Sequence, residues 1–164
     1  MDAKDWIETL GLREHPEGGY FREVYRAGER ISASALPPRF DGERCFSTAI
    51  YYLLSSGSVS TFHRIRQDEI WHFYDGSPVN IYIIDKRRMT VLRLGRDPAK
   101  GQLPMVAIPQ GAIFGAELKN PKSHALLGCT VSPGFEFDDF ELIPRADLLQ
   151  QFPEHFDIVH RLAR

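Results

Sequence analysis

The stretch GSVSTFHRIRQDEIWHFYDG, from Gly57 to Gly76, combines histidine and carboxylate side chains within one short segment. His63 and His72 could ligate a metal, because imidazole nitrogens and carboxylate oxygens are common metal ligands. His63 with Glu69 could instead form an acid–base pair, in which the carboxylate orients the imidazole. The plainest alternative is a pair of strands whose charged side chains are solvated. The elements that position these residues must decide between the three.

The expected directions of these side chains follow from strand geometry, since neighbouring residues of a β-strand point to opposite faces of a sheet. The predicted inward side chains are Thr61, His63, Ile65, Glu69, Trp71 and Phe73. The predicted outward side chains are Ile70, His72 and Tyr74, which separates His72 from His63. The intervening RQD segment is expected to fold one strand onto the next and to bring His63 close to Glu69.

Most of the chain after residue 43 consists of short apolar or alternating runs, separated by turn segments such as DGSP and KNPKS. Strand-like runs with turn signals at intervals of about 8–12 residues predict an all-β sandwich or barrel. Short helices are expected near the termini, in DAKDWIETLGL, with Asp2 as cap and Gly11 as stop, and in PRADLLQQF. HFDIVHRLAR predicts a short helix or a frayed tail. The chain is predicted to be one domain over 1–164, with a core of about 15–142 and a C-terminal helical segment of about 144–164.

The charge pattern of the chain restricts its partners. The 164 residues include 20 Lys and Arg and 22 Asp and Glu, for a net charge of −2. This scattered distribution lacks the basic patch that nucleic-acid or anionic-membrane partners need. The longest apolar run, AIYYLL, is far shorter than the ~20 residues of a transmembrane helix, and MDAKDWIETLGL has no apolar signal region. We therefore expect a cytoplasmic protein with no nucleic-acid or membrane partner, in which Cys45 and Cys129 are reduced core residues.

The segment 57–76 resembles the first conserved motif of the cupin superfamily, with a histidine at His63 and a glutamate at Glu69. The second cupin motif is similar at Gly101, Pro109 and Gly111, with Phe114 at the position where the motif has a histidine. EGGYFREVYR, DEIWHFYDG and CTVSPGFEFDDFEL further resemble the Cupin-5 family, a group of unknown function, over about 15–142. The resemblance implies a cupin-type double-stranded β-helix, which is a jelly-roll barrel, and pairing of two copies into a homodimer.

The resemblance also bears on a metal cofactor. A typical metal cupin holds its ion with three histidines and one glutamate, and the matching positions here are His63, Ile65, Glu69 and Phe114. Ile65 and Phe114 carry hydrocarbon side chains that cannot ligate an ion. Because two protein ligands hold a metal only loosely, we expect no resident cofactor and at most a weak, substoichiometric divalent metal.

The remaining inward residues outline an apolar, aromatic cavity with one imidazole and one carboxylate, which is the usual composition of a small-molecule site. The predicted catalytic residues are His63 and Glu69. The predicted substrate-binding residues are Arg22, Tyr20, Trp71, Phe73 and Phe114. Arg22 is included because a guanidinium group can hold a phosphate or carboxylate with two parallel hydrogen bonds. Glu17, Glu136, Asp138 and Asp139 are further candidates for the cavity mouth, unless they are simply solvated.

Three functions remain open on this evidence. The first is binding of a small polar, sugar-like or nucleotide-sugar-like ligand without chemistry, with the His63–Glu69 pair as a remnant of a lost metal site. The second is a metal-independent epimerase or isomerase, as the resemblance to the cupin epimerases of rhamnose synthesis implies, since these use a histidine base and no metal. The third is a metal-dependent dioxygenase or isomerase.

Overall fold

The computed structural model describes residues 1–85 and 88–164, which form two facing antiparallel sheets with short helices on their outer sides. The strands are β1 (Arg13–Glu14), β2 (Tyr20–Arg26), β3 (Arg30–Ile31), β4 (Arg44–Cys45), β5 (Thr48–Leu54), β6 (Ser60–Arg64), β7 (Asp68–Gly76), β8 (Val79–Asp85), β9 (Arg88–Leu94), β10 (Met105–Ile108), β11 (Ile113–Leu118), β12 (Ala125–Ser132) and β13 (Glu141–Leu142). The helices are α1 (Ala3–Leu10), α2 (Arg145–Gln151) and α3 (Phe156–Leu162). The predicted all-β jelly roll with short terminal helices is confirmed.

The two large sheets enclose the main core. One has the strand order β1-β2-β5-β12-β7-β10 and the other β13-β6-β11-β8-β9, while β3 and β4 form a small separate pair. Side chains from both inner faces interdigitate there, including Tyr52, Trp71, Ile81, Phe114 and Leu127, all of them almost fully buried. This packing removes the apolar runs of the sequence from water, which is the main favourable contribution to folding.

The segment between β6 and β7 does not form the expected hairpin. β6 belongs to the five-stranded sheet and β7 to the six-stranded sheet, so residues 65–67 cross from one sheet to the other. The turn length alone could not distinguish a hairpin from a crossing, because both need only a few polar residues. As a consequence, His63 and Glu69 come from opposite sheets and not from neighbouring strands of one sheet.

Helix α1 covers the outer face of the six-stranded sheet. Asp2 caps it, with its carboxylate accepting from the backbone N–H of Asp5 at 2.9 Å, and Gly11 ends it in the left-handed conformation. Its apolar side packs over Leu53 and Leu126. Both predicted helix signals therefore act as expected.

Helices α2 and α3 cover the outer face of the five-stranded sheet. Leu148 and Val159 are fully buried against strand residues such as Phe62, so the terminal segment is a packed helix and not a frayed tail. Along residues 1–85 and 88–164, no helix combines the length and the apolar character needed to cross a bilayer.

An apolar strip remains on the outer face of β7 and β10. Tyr74 is 49% exposed and Met105 is 56% exposed, and Met105 lies directly opposite His72 in the strand register. We expect this strip to pair two copies of the chain, because exposed apolar strips of this kind commonly form interfaces. Light scattering should then give twice the chain mass of 18.7 kDa, and Met105→Glu should halve it. The matched change Val91→Glu, at a residue that is 49% exposed on β9, should leave the measured mass unchanged. A monomeric unmodified protein at high micromolar concentration would contradict the expectation.

Candidate functional site

A cavity of about 230 Å³ lies between the two sheets and opens beside the loop that follows β12. Its polar lining residues are Arg13, His15, Glu17, Glu23, Arg26, Thr48, His63, Glu69 and Glu136. Its apolar and aromatic lining residues are Phe21, Ile50, Tyr52, Ile65, Cys129, Val131, Phe135, Phe137 and Phe140. The cavity is therefore an aromatic chamber into which several titratable groups converge.

His63 is the centre of a hydrogen-bonded group on the β6 side of the cavity. Its Nδ1 lies 2.7 Å from the carbonyl oxygen of Thr61, and its Nε2 lies 3.1 Å from the Glu17 carboxylate. The second oxygen of Glu17 accepts a hydrogen bond of 2.8 Å from the Ser60 hydroxyl. The partner of His63 is therefore Glu17, and no direct hydrogen bond or ion pair joins His63 to Glu69 in the described parts of the chain.

Gly18 places the neighbouring Glu17 beside the start of β6. Gly18 has φ +111°, and a Cβ atom there would lie 2.1 Å from the carbonyl oxygen of Val59. Only glycine permits this close passage of the chain beside β6. The backbone N–H of Thr61 donates to the Glu17 carbonyl oxygen at 2.8 Å. This hydrogen bond keeps the Glu17 carboxylate next to His63.

His15 lies on the other side of Glu17. Its Nδ1 accepts a hydrogen bond of 3.3 Å from the backbone N–H of Glu17 and lies 3.5 Å from the Glu17 carboxylate. Its ring meets Phe21 and Phe140 edge to face, with centroid distances of 4.6 and 5.8 Å. Burial lowers the pKa of His15, the Glu17 carboxylate opposes this change, and the nearby His63 reinforces it.

Glu69 faces the cavity from the opposite sheet and is only 8% exposed. Burial raises the pKa of its carboxyl group to about 8, and the Glu17 charge acts in the same direction, while Cys129 and Trp71 oppose it. Within the described residues no cation lies within ion-pair distance of this carboxyl. At neutral pH the group is therefore mainly a carboxylic acid that can donate a hydrogen bond.

Arg26 ties the rim of the cavity together. Its guanidinium group makes two hydrogen bonds to Glu23, at 3.0 and 2.9 Å, and one of 2.8 Å to Glu136. It also donates to the Phe135 carbonyl oxygen at 3.0 Å. These contacts join β2 to the loop after β12. The guanidinium group of Arg26 therefore stabilises the rim of the cavity. The guanidinium group of Arg13 lies 4.9 Å from the centre of the Phe21 ring and is exposed at the same rim.

The loop that carries the aromatic wall is anchored by a buried carboxylate. Asp139 is 4% exposed and receives two hydrogen bonds from Arg44, at 2.8 and 2.6 Å, and one of 2.6 Å from Gln67. These contacts fix the 3₁₀ turn at 137–139 and the adjoining Phe140. The ring centroids of Phe140 and His63 are 5.3 Å apart.

The sequence-predicted site residues occupy three different places. His63 and Glu69 both line the cavity. Trp71, Phe73 and Phe114 do not line the cavity but belong to the core around it. The ring centroids of Phe114 and His63 are 4.1 Å apart. In this geometry these three residues support the cavity wall and do not contact a ligand in the cavity, although the sequence predicts such contact.

The predicted orientation of β2 is wrong. Arg22 is exposed on the outer face, and Tyr20 packs beneath α1, whereas Phe21 and Glu23 line the cavity. Both faces of YFREVYR carry an aromatic residue, so the alternation could not indicate which face is inside. Packing of α1 against the outer face made that choice.

Several lining residues are absent from the sequence-based predictions, notably His15 and Arg26. Of the suggested mouth residues, Glu17 and Glu136 line the cavity, whereas Asp138 is exposed and Asp139 is buried against Arg44. The signal for Glu17 is the following glycine pair, which allows a backbone approach that other residues cannot make. The sequence carries no comparable signal for His15, because its place in the cavity wall also depends on Tyr52 and Phe140, which come from distant segments.

The residues at the cupin metal positions do not fit a metal ion. Ile65 and Phe114 are buried hydrocarbon side chains, and Nε2 of His63 is directed at Glu17. Among the residues that the structure describes, no cluster of three or more His, Cys, Asp or Glu side chains has ligand geometry. A metal-dependent mechanism therefore has no support from this arrangement of side chains.

Comparisons with known proteins agree with this architecture. The solved structure of a Shewanella oneidensis protein, SO0799, is 40% identical, with a TM-score of 0.89, and the match covers 100% of this chain and 98% of that one. An uncharacterised protein of Saccharomyces cerevisiae is 27% identical over 154 residues, covering 88% of this chain and 76% of the relative. Oxalate decarboxylase from Bacillus subtilis shares the fold, with 14% identity and a TM-score of 0.55 over 91% of this chain and 36% of that protein.

The comparison with protein families agrees as well. Residues 4–143 match the Cupin_5 family, described as Cupin superfamily (DUF985). The matched range includes the cavity-lining residues from both sheets. The chain therefore belongs to the Cupin_5 family of the cupin superfamily.

Proposed function

We propose that the protein binds a small, uncharged, hydroxyl-rich molecule of about monosaccharide size in the barrel cavity. The observation that carries this proposal is the convergence of His15, Glu17, His63 and Glu69 in one aromatic chamber. Sites of this kind, mostly apolar with a few convergent polar groups, are the usual form of small-molecule sites. The buried free thiols Cys45 and Cys129 are compatible with a cytoplasmic location, which is part of the proposal.

The size of the cavity limits the ligand. Its volume of about 230 Å³ lies below the roughly 300–1,000 Å³ of pockets for drug-sized ligands. A monosaccharide is of suitable size, whereas a nucleotide sugar could place only its sugar ring inside. The aromatic wall suits the apolar faces of such a ring, and the polar groups suit its hydroxyls.

The charges of the cavity favour an uncharged ligand. Glu17 is paired with His63, Arg26 is paired with Glu23 and Glu136, and Arg13 is a cation at the solvent-exposed rim. Glu69, with its pKa raised to about 8 by burial, is mainly neutral at pH 7. An ionic ligand would lose its hydration without meeting an uncompensated opposite charge inside the chamber, which is costly.

Thermal unfolding with a panel of neutral monosaccharides and the matching sugar acids tests this proposal. A neutral sugar at ten times its Kd should add ~1.4 kcal/mol of stability and raise Tm by about 3–6 °C. Ile50→Phe should abolish the rise, because the larger side chain fills the chamber that Ile50 lines. Val91→Phe, on the exposed side of β9, should preserve it. No Tm change with any neutral sugar, together with native mass spectra that show no bound small molecule, would contradict the proposal.

A second candidate function is a metal-independent epimerase or isomerase that uses Glu69 together with the hydrogen-bonded pair of His63 and Glu17. The specific observation in its favour is that two cavity carboxyls differ in their hydrogen bonding. Glu17 accepts from His63 and Ser60, whereas Glu69 is a buried acid with a pKa of about 8. An acid and a base in one chamber are what proton transfer to and from carbon requires.

Solvent deuterium provides the test of this second function. A sugar bound in D₂O should acquire deuterium at carbon, measured by mass spectrometry, and Glu69→Gln should stop the incorporation because the amide cannot act as an acid or a base at neutral pH. Glu29→Gln, at an exposed glutamate, should leave the incorporation unchanged. A bound sugar that acquires no deuterium would leave binding as the whole function.

A further inference from the structure

The two imidazoles of the cavity differ in how their nitrogens are used. Nδ1 of His63 lies 2.7 Å from the Thr61 carbonyl oxygen. A carbonyl oxygen only accepts hydrogen bonds, so this nitrogen must carry a proton. The other nitrogen, Nε2, lies 3.1 Å from a Glu17 carboxylate oxygen.

A proton must also lie between His63 and Glu17. An unprotonated Nε2 would direct its lone pair at a carboxylate oxygen, and two acceptors at 3.1 Å repel each other. The pair therefore holds one proton in common, whether it is written on the imidazole or on the carboxyl group. Both nitrogens of His63 are then occupied within the protein, and neither offers a free hydrogen-bonding position to a ligand.

His15 is in the opposite situation. Its Nδ1 accepts from the backbone N–H of Glu17, so this nitrogen is unprotonated and the neutral ring carries its proton on Nε2. Across residues 1–85 and 88–164, Nε2 of His15 has no hydrogen-bond partner, yet it is not one of the fully buried polar atoms that lack one. His15 lines the cavity and its ring packs among the cavity residues Phe21, Phe137 and Phe140, from which we take this N–H group to face the cavity.

We propose that His15, and not His63, is the imidazole that the cavity presents to its ligand, as an Nε2–H donor positioned by Glu17. This inference rests on the proposed function, because it takes the ligand to be in the barrel. Glu69 supplies a second donor from the opposite sheet, through its carboxylic acid. A ligand that fits must then present two acceptor oxygens, hydroxyl or carbonyl, one to each sheet. His63 acts as a positioning residue, since it holds the side chain of Glu17, whose backbone N–H orients His15.

Imidazole nitrogen NMR of the full chain, labelled with ¹⁵N-histidine, tests the inference without a ligand. His15→Gln and His63→Gln variants assign the two resonance pairs. His15 should show a protonated Nε2 and an unprotonated Nδ1, and its Nε2–H should exchange with water at least about tenfold faster than Nδ1–H of His63. Equal exchange rates, or the reverse order, would overturn the inference.

Glu17→Gln provides a second readout. The glutamine amide can donate to Nε2 of His63, so this nitrogen should change from proton-sharing to unprotonated, while the Nδ1–H to Thr61 remains. Glu17→Asp, which keeps the carboxylate, should retain the proton-sharing signature. An Nε2 signal of His63 that is unprotonated in the unmodified protein would overturn the inference. These readouts involve no sugar, so a sugar panel without any Tm change would count only against the proposed function.

Discussion

Glu69→Gln should stabilise the protein, by an amount that grows as the pH rises. The folded-state pKa of Glu69 is about 8, against an ordinary value of 4.5, because burial disfavours the ionised form. A raised folded-state pKa means that the folded chain binds more protons than the unfolded chain between these two values. The contribution of Glu69 to stability is therefore fully present below pH 4.5, is lost progressively up to pH 8, and changes no further above it.

The size of this effect follows from the pKa difference. Each unit corresponds to ~1.4 kcal/mol, so the shift sets an upper bound of ~5 kcal/mol, and relaxation of the cavity should reduce the observed gain to about 2–4 kcal/mol. Urea unfolding, followed by tryptophan fluorescence at pH 5, 6, 7, 8 and 9, measures the free energy of unfolding of both proteins. Because glutamine does not titrate, the difference between the two curves isolates Glu69.

Glu29→Gln is the matched control for Glu69→Gln, since Glu29 is exposed. It should change the free energy of unfolding by no more than ~0.5 kcal/mol at any of these pH values. Curves for Glu69→Gln and the unmodified protein that run parallel from pH 5 to pH 9 would show that the Glu69 carboxyl is not held in its acid form by the cavity.

Asp139→Ala should destabilise the protein by about 3–5 kcal/mol, the usual cost of removing one partner of a buried ion pair. Asp139 is 4% exposed and Arg44 is 5% exposed, so the substitution leaves a buried guanidinium group without its carboxylate. It also removes the acceptor of the 2.6 Å hydrogen bond from Gln67. Since Asp139 fixes the turn next to Phe140, the loss should extend to the cavity wall and weaken sugar binding.

The neighbouring Asp138 provides a control for Asp139, because it is exposed and lies in the same turn. Asp138→Ala should change the free energy of unfolding by less than ~0.5 kcal/mol. The double change Arg44→Met with Asp139→Leu should recover most of the lost stability, because apolar replacement of a whole buried pair is often neutral. Equal effects of Asp139→Ala and Asp138→Ala in urea unfolding would refute the importance of the buried pair.

The strand alternation around Glu69 was predictable because it depends only on local geometry. Glu69 and Trp71 point inward, and Tyr74 points outward, as the period of two requires. The caps of α1 were equally predictable, since Asp2 and Gly11 act on backbone groups within a few residues of themselves. The breakers between the runs were sufficient to predict an all-β sandwich or barrel, and the resemblance to the cupin motifs implied the jelly roll.

The face of a strand that turns inward was not predictable in β2, where Phe21 and Tyr20 lie on opposite faces. A period of two separates the two faces but does not say which one meets the core, and the packing of α1 made the choice. The same limit applies to residues 65–67, which cross between sheets where a hairpin was equally consistent with the sequence.

The sequence by itself therefore determined the fold class and the presence of His63 and Glu69 in the barrel, because repeated short-range patterns encode both. Only the tertiary structure decided that His63 pairs with Glu17, that His15 lines the cavity, and that Arg26 closes its rim. Each of these contacts joins segments that are far apart in the chain. Their geometry depends on how the two sheets face each other, and no local spacing of residues records that.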